Sequence, residues 1–188
     1  MKRLIAIALF VGCVSSVARA EAPLTVDPIH SSFVFRTLHA KIGHIWGRFS
    51  DYGGTFTIDE SDPTKSSFDI FANPLSVDTT QKQRDDHLQR ADYFNSKLFP
   101  KITFKSTSVK KVSDNKLEAT GDLTLHGVTK SIVVPIEIVG KGEFPKGTFR
   151  YGIEATFTVK MSDYKIQGDP KSVADEVLII ASLEGMRK

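Results

Sequence analysis

The sequence predicts an all-β domain of eight antiparallel strands with one inserted helix, at about residues 79–91. Three observations lead there. Apolar and polar side chains alternate along nearly the whole chain after residue 20, as on a strand whose side chains point to opposite faces in turn. Residues suited to tight reversals separate the alternating runs, so sequence neighbours pair antiparallel through short connections. Only one segment of useful length has helix formers without glycine or proline. Composition agrees with a folded domain: 188 residues, 40% apolar and 25% charged, exclude disordered and collagen-like chains.

Residues 1–20 read as an export signal. Lys2 and Arg3 form a positive head, and Leu4 to Val11 an apolar run too short to span a bilayer. Ala18-Arg19-Ala20 supplies the small residues read by a signal peptidase, with cleavage after Ala20. Gly12-Cys13 offers a competing lipidation reading, which the short apolar run and Phe10 disfavour. The expected destination is the periplasm, or the medium. Cys13 is the one cysteine, so its removal would take disulfides, thiol catalysis and cysteine metal sites with it.

The strands follow in order. Phe33 and Phe35 share one face, and His39 continues it. Phe56 and Ile58 mark the second strand, Phe68 and Ile70 the third. Thr79 to Arg90 is the helix, with Asp78 or Thr79 as its cap. Ile102 and Phe104 begin the fourth strand, and Leu117, Ala119, Leu123 and Leu125 line up on the fifth. Ile132, Val134, Ile136 and Ile138 form the sixth. The seventh is the clearest: Phe149, Tyr151, Ile153, Ala155, Phe157, Val159 and Met161 alternate with polar residues or glycine over Phe149–Met161. Val177, Ile179, Ala181 and Leu183 complete the eighth. Reversals are expected at Tyr52-Gly53-Gly54, Asp62-Pro63, Ser113-Asp114-Asn115, His126-Gly127 and Gly140-Lys141-Gly142.

Eight such strands can stack as a sandwich or close into a barrel. Strand length favours the barrel: ~11 residues at ~3.3 Å each, tilted ~40°, give a wall roughly 28 Å tall. A barrel of eight strands can hold one elongated ligand, although a filled hydrophobic core would explain the phenylalanines equally well. The candidate lining residues are Phe33, Phe35 and His39 on the first strand, with Phe49, Ile70, Phe104 and Leu123 from the next ones. Val134 and Ile136 follow, then Phe149, Tyr151, Ile153, Phe157, Val159 and Met161 on the longest strand, and Ile179 on the last.

Charge argues against nucleic acid. Lys2, Arg3 and Arg19 lie in the first twenty residues, and 25 − 3 leaves 22 basic against 22 acidic side chains. A neutral chain exerts little long-range pull on polyanions. The five histidines show no metal-ligand spacing, so no metal is expected. Arg84-Asp85-Asp86-His87-Leu88 is the densest polar cluster. Asp85 and His87 there offer an acid–base pair for a lipid-modifying enzyme. Surface pairing on a helix explains the same residues and is the preferred reading. No cofactor motif and no catalytic residue are assigned.

Several words resemble the YceI-like family of periplasmic polyisoprenoid-binding proteins. They are Asp27-Pro28-Ile29-His30-Ser31, His39, Gly47-Arg48-Phe49, Arg84-Asp85-Asp86-His87-Leu88 and Asp92-Tyr93-Phe94. Phe99-Pro100-Lys101-Ile102-Thr103-Phe104-Lys105-Ser106 follows, then the specific Gly121-Asp122-Leu123-Thr124-Leu125-His126-Gly127-Val128-Thr129-Lys130, and Asp175-Glu176-Val177. The resemblance implies a single exported lipocalin-like domain over residues 21–188. It implies a long isoprenoid in the lumen, a polyprenyl carrier or a quinone tail, and no catalysis. Broad sequestering of other hydrophobic small molecules stays open, as do a transient membrane contact and a dimer. One departure is Lys165, where the family carries glycine, which is expected to alter the mouth of the long strand and with it the head-group contacts.

Overall fold

The computed structural model describes residues 21–188; the expected export signal and its cleavage point lie outside the described residues. Its strand segments are β1 (Leu24–Val26), β2 (Ser32–His39), β3 (Gly43–Phe49), β4 (Tyr52–Thr57), β5 (Ser67–Ala72) and β6 (Val77–Asp78). After α1 (Lys82–Leu88) come β7 (Ile102–Ser113), β8 (Lys116–Leu125), β9 (Val128–Glu143), β10 (Phe149–Lys160) and β11 (Val173–Arg187). The period-two row at Phe149–Met161 becomes β10 almost residue for residue.

The sheet closes on itself. Every pairing is antiparallel, and the ring runs β1–β4–β5–β7–β8–β9–β10–β11 and back to β1. These eight positions are the predicted barrel, and the extra segments are continuations of them. β1 and β2 pair with successive stretches of β11, Val26 opposite Gly185 and Ser32 opposite Ser182. β3 extends β4 in the same way, and β6 extends β5. The wall therefore bends at Asp27–Ser31 and again at Ser50-Asp51.

Two expected reversals are strand interior instead. Gly53 and Gly54 lie within β4, where Gly54 takes φ +129° and its missing Cβ lets the Asp69 carbonyl approach. Gly140 and Gly142 lie inside β9, and the chain reverses at 144–148. Glycine pairs marked a close backbone approach in the first case, a need that local turn chemistry does not reveal. His126-Gly127 does form a tight turn, with both residues at positive φ.

The helix is shorter than residues 79–91 and is capped by neither Asp78 nor Thr79. Gln81 caps it, its side chain accepting from the Arg84 N–H at 2.9 Å. Thr79 is buried and committed elsewhere: its N–H and hydroxyl both donate to Asp85 Oδ1, while Thr80 turns left-handed at φ 62°. At the other end the chain coils through further turns that carry Tyr93 and Phe94 inward, and Phe94 meets the Phe49 ring at 5.7 Å.

One end of the barrel is plugged. Leu24, Val26, Phe56, Phe68, Tyr151 and Leu183 are buried there, and Phe56 stacks on Phe68 at 6.1 Å. A polar corner latches this end. The buried Asp27 carboxylate accepts from the Ile29 N–H at 3.0 Å, pairs with His30 Nδ1 at 2.8 Å and accepts from Arg150 at 2.8 Å. Arg150 also bridges to Glu184 on β11. Hydrogen bonds from His30 and Arg150 hold the Asp27 pKa down at about 2. The family word Asp27–Ser31 is therefore a structural corner.

The other end is looser. β9 and β10 pair, with a register shift between Gly152 and Ile153, only as far as Ile136 opposite Ala155, and the described pairing stops before residues 128–135 meet 156–160. Pro135 sits at that limit, and a residue without an N–H suits a strand that has lost its neighbour.

Candidate functional site

The barrel encloses two neighbouring chambers that share part of their lining. The larger, of about 350 Å³, opens at the end covered by α1 and by the loop after β10; a smaller one of about 70 Å³ lies deeper. Phe33, Ile102, Leu123 and Phe157 line both and form the waist between them. The sheet thus curves around a hollow and does not collapse onto itself.

Most of the residues expected in the lining are there. Phe33, Phe35, His39, Phe49, Leu123, Phe157, Val159, Met161 and Ile179 face the larger chamber. Ile70, Phe104, Val134, Ile136 and Ile153 face the smaller. Phe33, Phe35, Phe49 and Phe94 make one continuous aromatic wall, with Phe49 5.8 Å from Phe33 and 5.5 Å from Phe35. Gly47 is part of that wall's design, because any Cβ there would overlap the Phe35 ring.

Phe149 and Tyr151 are the exceptions and line neither chamber. They lie on the predicted face of β10 but at the plugged end. Tyr151 is buried and donates its hydroxyl to Glu60 Oε1 at 2.8 Å. Burial, and then the Glu60 carboxylate, raise its pKa. The guanidinium of Arg187 covers the Phe149 ring at 4.8 Å. Periodicity sets the face of a strand and says nothing of height along the barrel.

The mouth is polar; the sequence singles out His39 as lining and Arg84 and His87 as a polar cluster, without bringing the cluster to the lumen. Thr37, His39, Thr79, Arg84, His87, Asp169 and Ser172 ring it, above an apolar interior. His39 is exposed at the rim, on the same face as Phe33 and Phe35. His44 is on the opposite face of the hairpin, its residue paired with Leu38. Arg84 is aimed by Thr79, to whose hydroxyl Nε donates at 2.8 Å and to whose carbonyl a terminal nitrogen donates at 2.8 Å. Among the described residues it has no carboxylate within 4 Å, so a half-buried cation stands at the mouth of an oily chamber. No local signal distinguishes Arg84 from any helix-surface arginine.

Asp85 and His87 do not form a pair. Asp85 accepts both Thr79 donors, and His87 Nε2 bonds Asp92 Oδ2 at 2.8 Å. His87 also stands edge-on to Tyr93 at 5.0 Å. Both act as fasteners of the loop that covers the mouth. A possible metal set, Asp27, His30 and Glu184, lies at the plugged end, where Arg150 already bonds both carboxylates.

Lys165 is explained by its backbone. It adopts φ 58°, ψ 22°, the left-handed conformation that closes the 3-10 turn Ser162–Tyr164. Glycine adopts this most easily, which accounts for glycine in the resembled pattern. The Lys165 side chain is exposed and outside the lining, so the departure falls in the turn and not in the lumen.

Comparison with known proteins agrees with this architecture. The family model of the YceI-like domain matches residues 24–185. Protein YceI of Escherichia coli O157:H7 is 39% identical over 173 residues, spanning 92% of this chain and 90% of that protein. The crystal structure of Burkholderia cenocepacia BcnA superposes with a TM-score of 0.78 at 23% identity, over 85% of this chain and 98% of that one. A polyisoprenoid binding domain from Saccharophagus degradans, implicated in plant cell wall breakdown, gives 0.66 at 14% identity, over 89% and 99%. With a family model matched across nearly all of the described barrel, the chain belongs to the YceI-like family.

Proposed function

We infer that the protein is a noncatalytic carrier that holds a long isoprenoid lipid in its lumen, tail inward and head group at the mouth. The observation that carries this reading is the chambered lumen itself, lined almost wholly by apolar side chains and rimmed by polar ones at one end only. Membership of the YceI-like family supports it, as does the likeness of fold to a protein described as polyisoprenoid-binding. The lean charged signal in residues 1–20 supports a periplasmic site of action, with brief contact at the membrane from which the lipid is drawn.

The energetics favour the tail. Each buried CH2 contributes ~0.8 kcal/mol, so one five-carbon unit contributes ~4 kcal/mol as an upper bound. A head-group hydrogen bond nets only ~1 kcal/mol, or roughly twice that with a charged partner such as Arg84. Ordering a flexible tail offsets much of the gain. Chain length therefore sets affinity, and Arg84, His39 and the other rim groups set orientation.

Titration of the apo protein with prenols of increasing length tests this. Affinity is expected to climb with each unit and level off once the waist at Phe157 is passed and the inner chamber is full. Equal affinity for short and long prenols, or equal binding of unrelated drug-like molecules, would favour broad sequestering of hydrophobic compounds instead.

A further inference from the structure

We propose that the β2–β3 hairpin docks the protein on an anionic bilayer: Ile42 at its tip enters the lipid, Trp46 and Arg36 rest at the head-group level, and the mouth of the lumen faces the membrane.

The tip is built to project. Ala40 and Lys41 both take positive φ, 49° and 60°, and the Ile42 N–H donates to the His39 carbonyl at 2.9 Å, which makes a tight two-residue reversal. Neither residue is glycine, asparagine or aspartate, the types that adopt this turn at low cost. Ile42, presented by that turn, is 88% exposed. A β-branched apolar side chain at a strained hairpin tip has no packing role in the fold.

Charge is segregated along the same hairpin. Although residues 21–188 balance to zero, residues 32–50 contain Arg36, Lys41 and Arg48 and no acidic side chain. Arg48 is paired with Asp78 at 2.8 Å, while Arg36 and Lys41 have no carboxylate within 4 Å among the described residues. Arg36 instead lies 5.5 Å from the centre of the Trp46 ring, opposite it in the β2–β3 register. Trp46 is half exposed. An aromatic ring with a cation over it suits the boundary between head groups and acyl chains. Trp46 stands four positions beyond Ile42, about 10 Å of height on a tilted strand, which matches the depth of an interfacial element.

The hairpin is also continuous with the mouth. His39 lines the large chamber, and the Ala40 N–H donates at 2.8 Å to the carbonyl of Ser172, another lining residue. Lys171 adds an exposed cation beside it, and the nearby Asp169 carboxylate is engaged by the Lys171 N–H and the Ser172 hydroxyl. A bilayer that receives Ile42 therefore lies against the opening. The plugged end also exposes apolar side chains, Ile29 and Phe144, with acidic Glu143 and Glu184 among its cations; the acidic residues of β11 beside the hairpin, Asp175 and Glu176, are engaged by Ser162 and Lys160.

Trp46 is the only tryptophan, so its emission reports docking directly. The test adds vesicles of phosphatidylethanolamine and phosphatidylglycerol, free of prenyl lipid, to the apo protein with its export signal removed. The expected result is a blue shift at low salt that high salt reverses and phosphatidylcholine vesicles do not produce. Ile42→Ser and Lys41→Glu should each weaken binding about fivefold or more while leaving the melting midpoint unchanged. Phe144→Ser should bind as the parent does. The proposal fails if no shift occurs on anionic vesicles, if Phe144→Ser rather than the tip variants loses binding, or if the tip variants only convert a dimer to a monomer. Prenol uptake is measured separately without vesicles, so failure of docking and failure of the carrier reading are distinguishable.

Discussion

At the scale of single residues, Phe157 bears on ligand uptake and Asp27 on stability. Phe157 lines both chambers at their waist. A lysine there places an ammonium among apolar walls, which it tolerates only by drawing water in or losing its proton. Phe157→Lys is therefore expected to weaken prenol binding at least about tenfold, read by titration, with the far-ultraviolet spectrum unchanged. Asp27 governs stability instead. Its pKa, held at about 2, means that its contribution is fully present above the unfolded value near 3.9 and is lost as pH falls through about 2. Asp27→Asn should lower the melting midpoint by about 5 °C at neutral pH. The gap between variant and parent should close progressively below pH ~4, and a gap that persists undiminished at the acid end would show that the latch is not electrostatic.

At the scale of elements, strands were legible and the mouth was not. Phe157, Val159 and Ile179 declared their face through long uninterrupted alternation, because on a strand the side-chain direction is set by the residue's own position. Phe149 and Tyr151 share the Phe157 row yet belong to the plug, since the height of a residue depends on how far the barrel extends past it. Thr79, Arg84, Tyr93 and Asp169 come together only through the packing of α1 and the loop after β10, which no local pattern encodes. The helix ran short for a related reason: Asp85 satisfies Thr79, and that bond removes Thr79 from the cap. Gly54 gives an element-scale prediction. Gly54→Ala adds a Cβ against the Asp69 carbonyl at φ +129°, so chemical denaturation should show a loss of about 2 kcal/mol or more. A neutral substitution would mean that β4 and β5 can separate there without cost.

At the scale of the whole molecule, function follows from asymmetry between the two ends. Buried aromatics and the Asp27–Arg150–Glu184 corner close one end, while β9 and β10 part, with Pro135 at the divide, toward the other. A closed ring removes free sheet edges over most of the wall, and among the described residues the larger chamber opens at an end ringed by polar groups. The same end carries the hairpin whose tip exposes Ile42. Native mass spectrometry of the protein purified from its own host tests the carrier reading most directly. A mass adduct equal to an intact polyprenyl lipid, released on denaturation, is the predicted result. A single apo mass that acquires no prenol or prenyl quinone on incubation would contradict it.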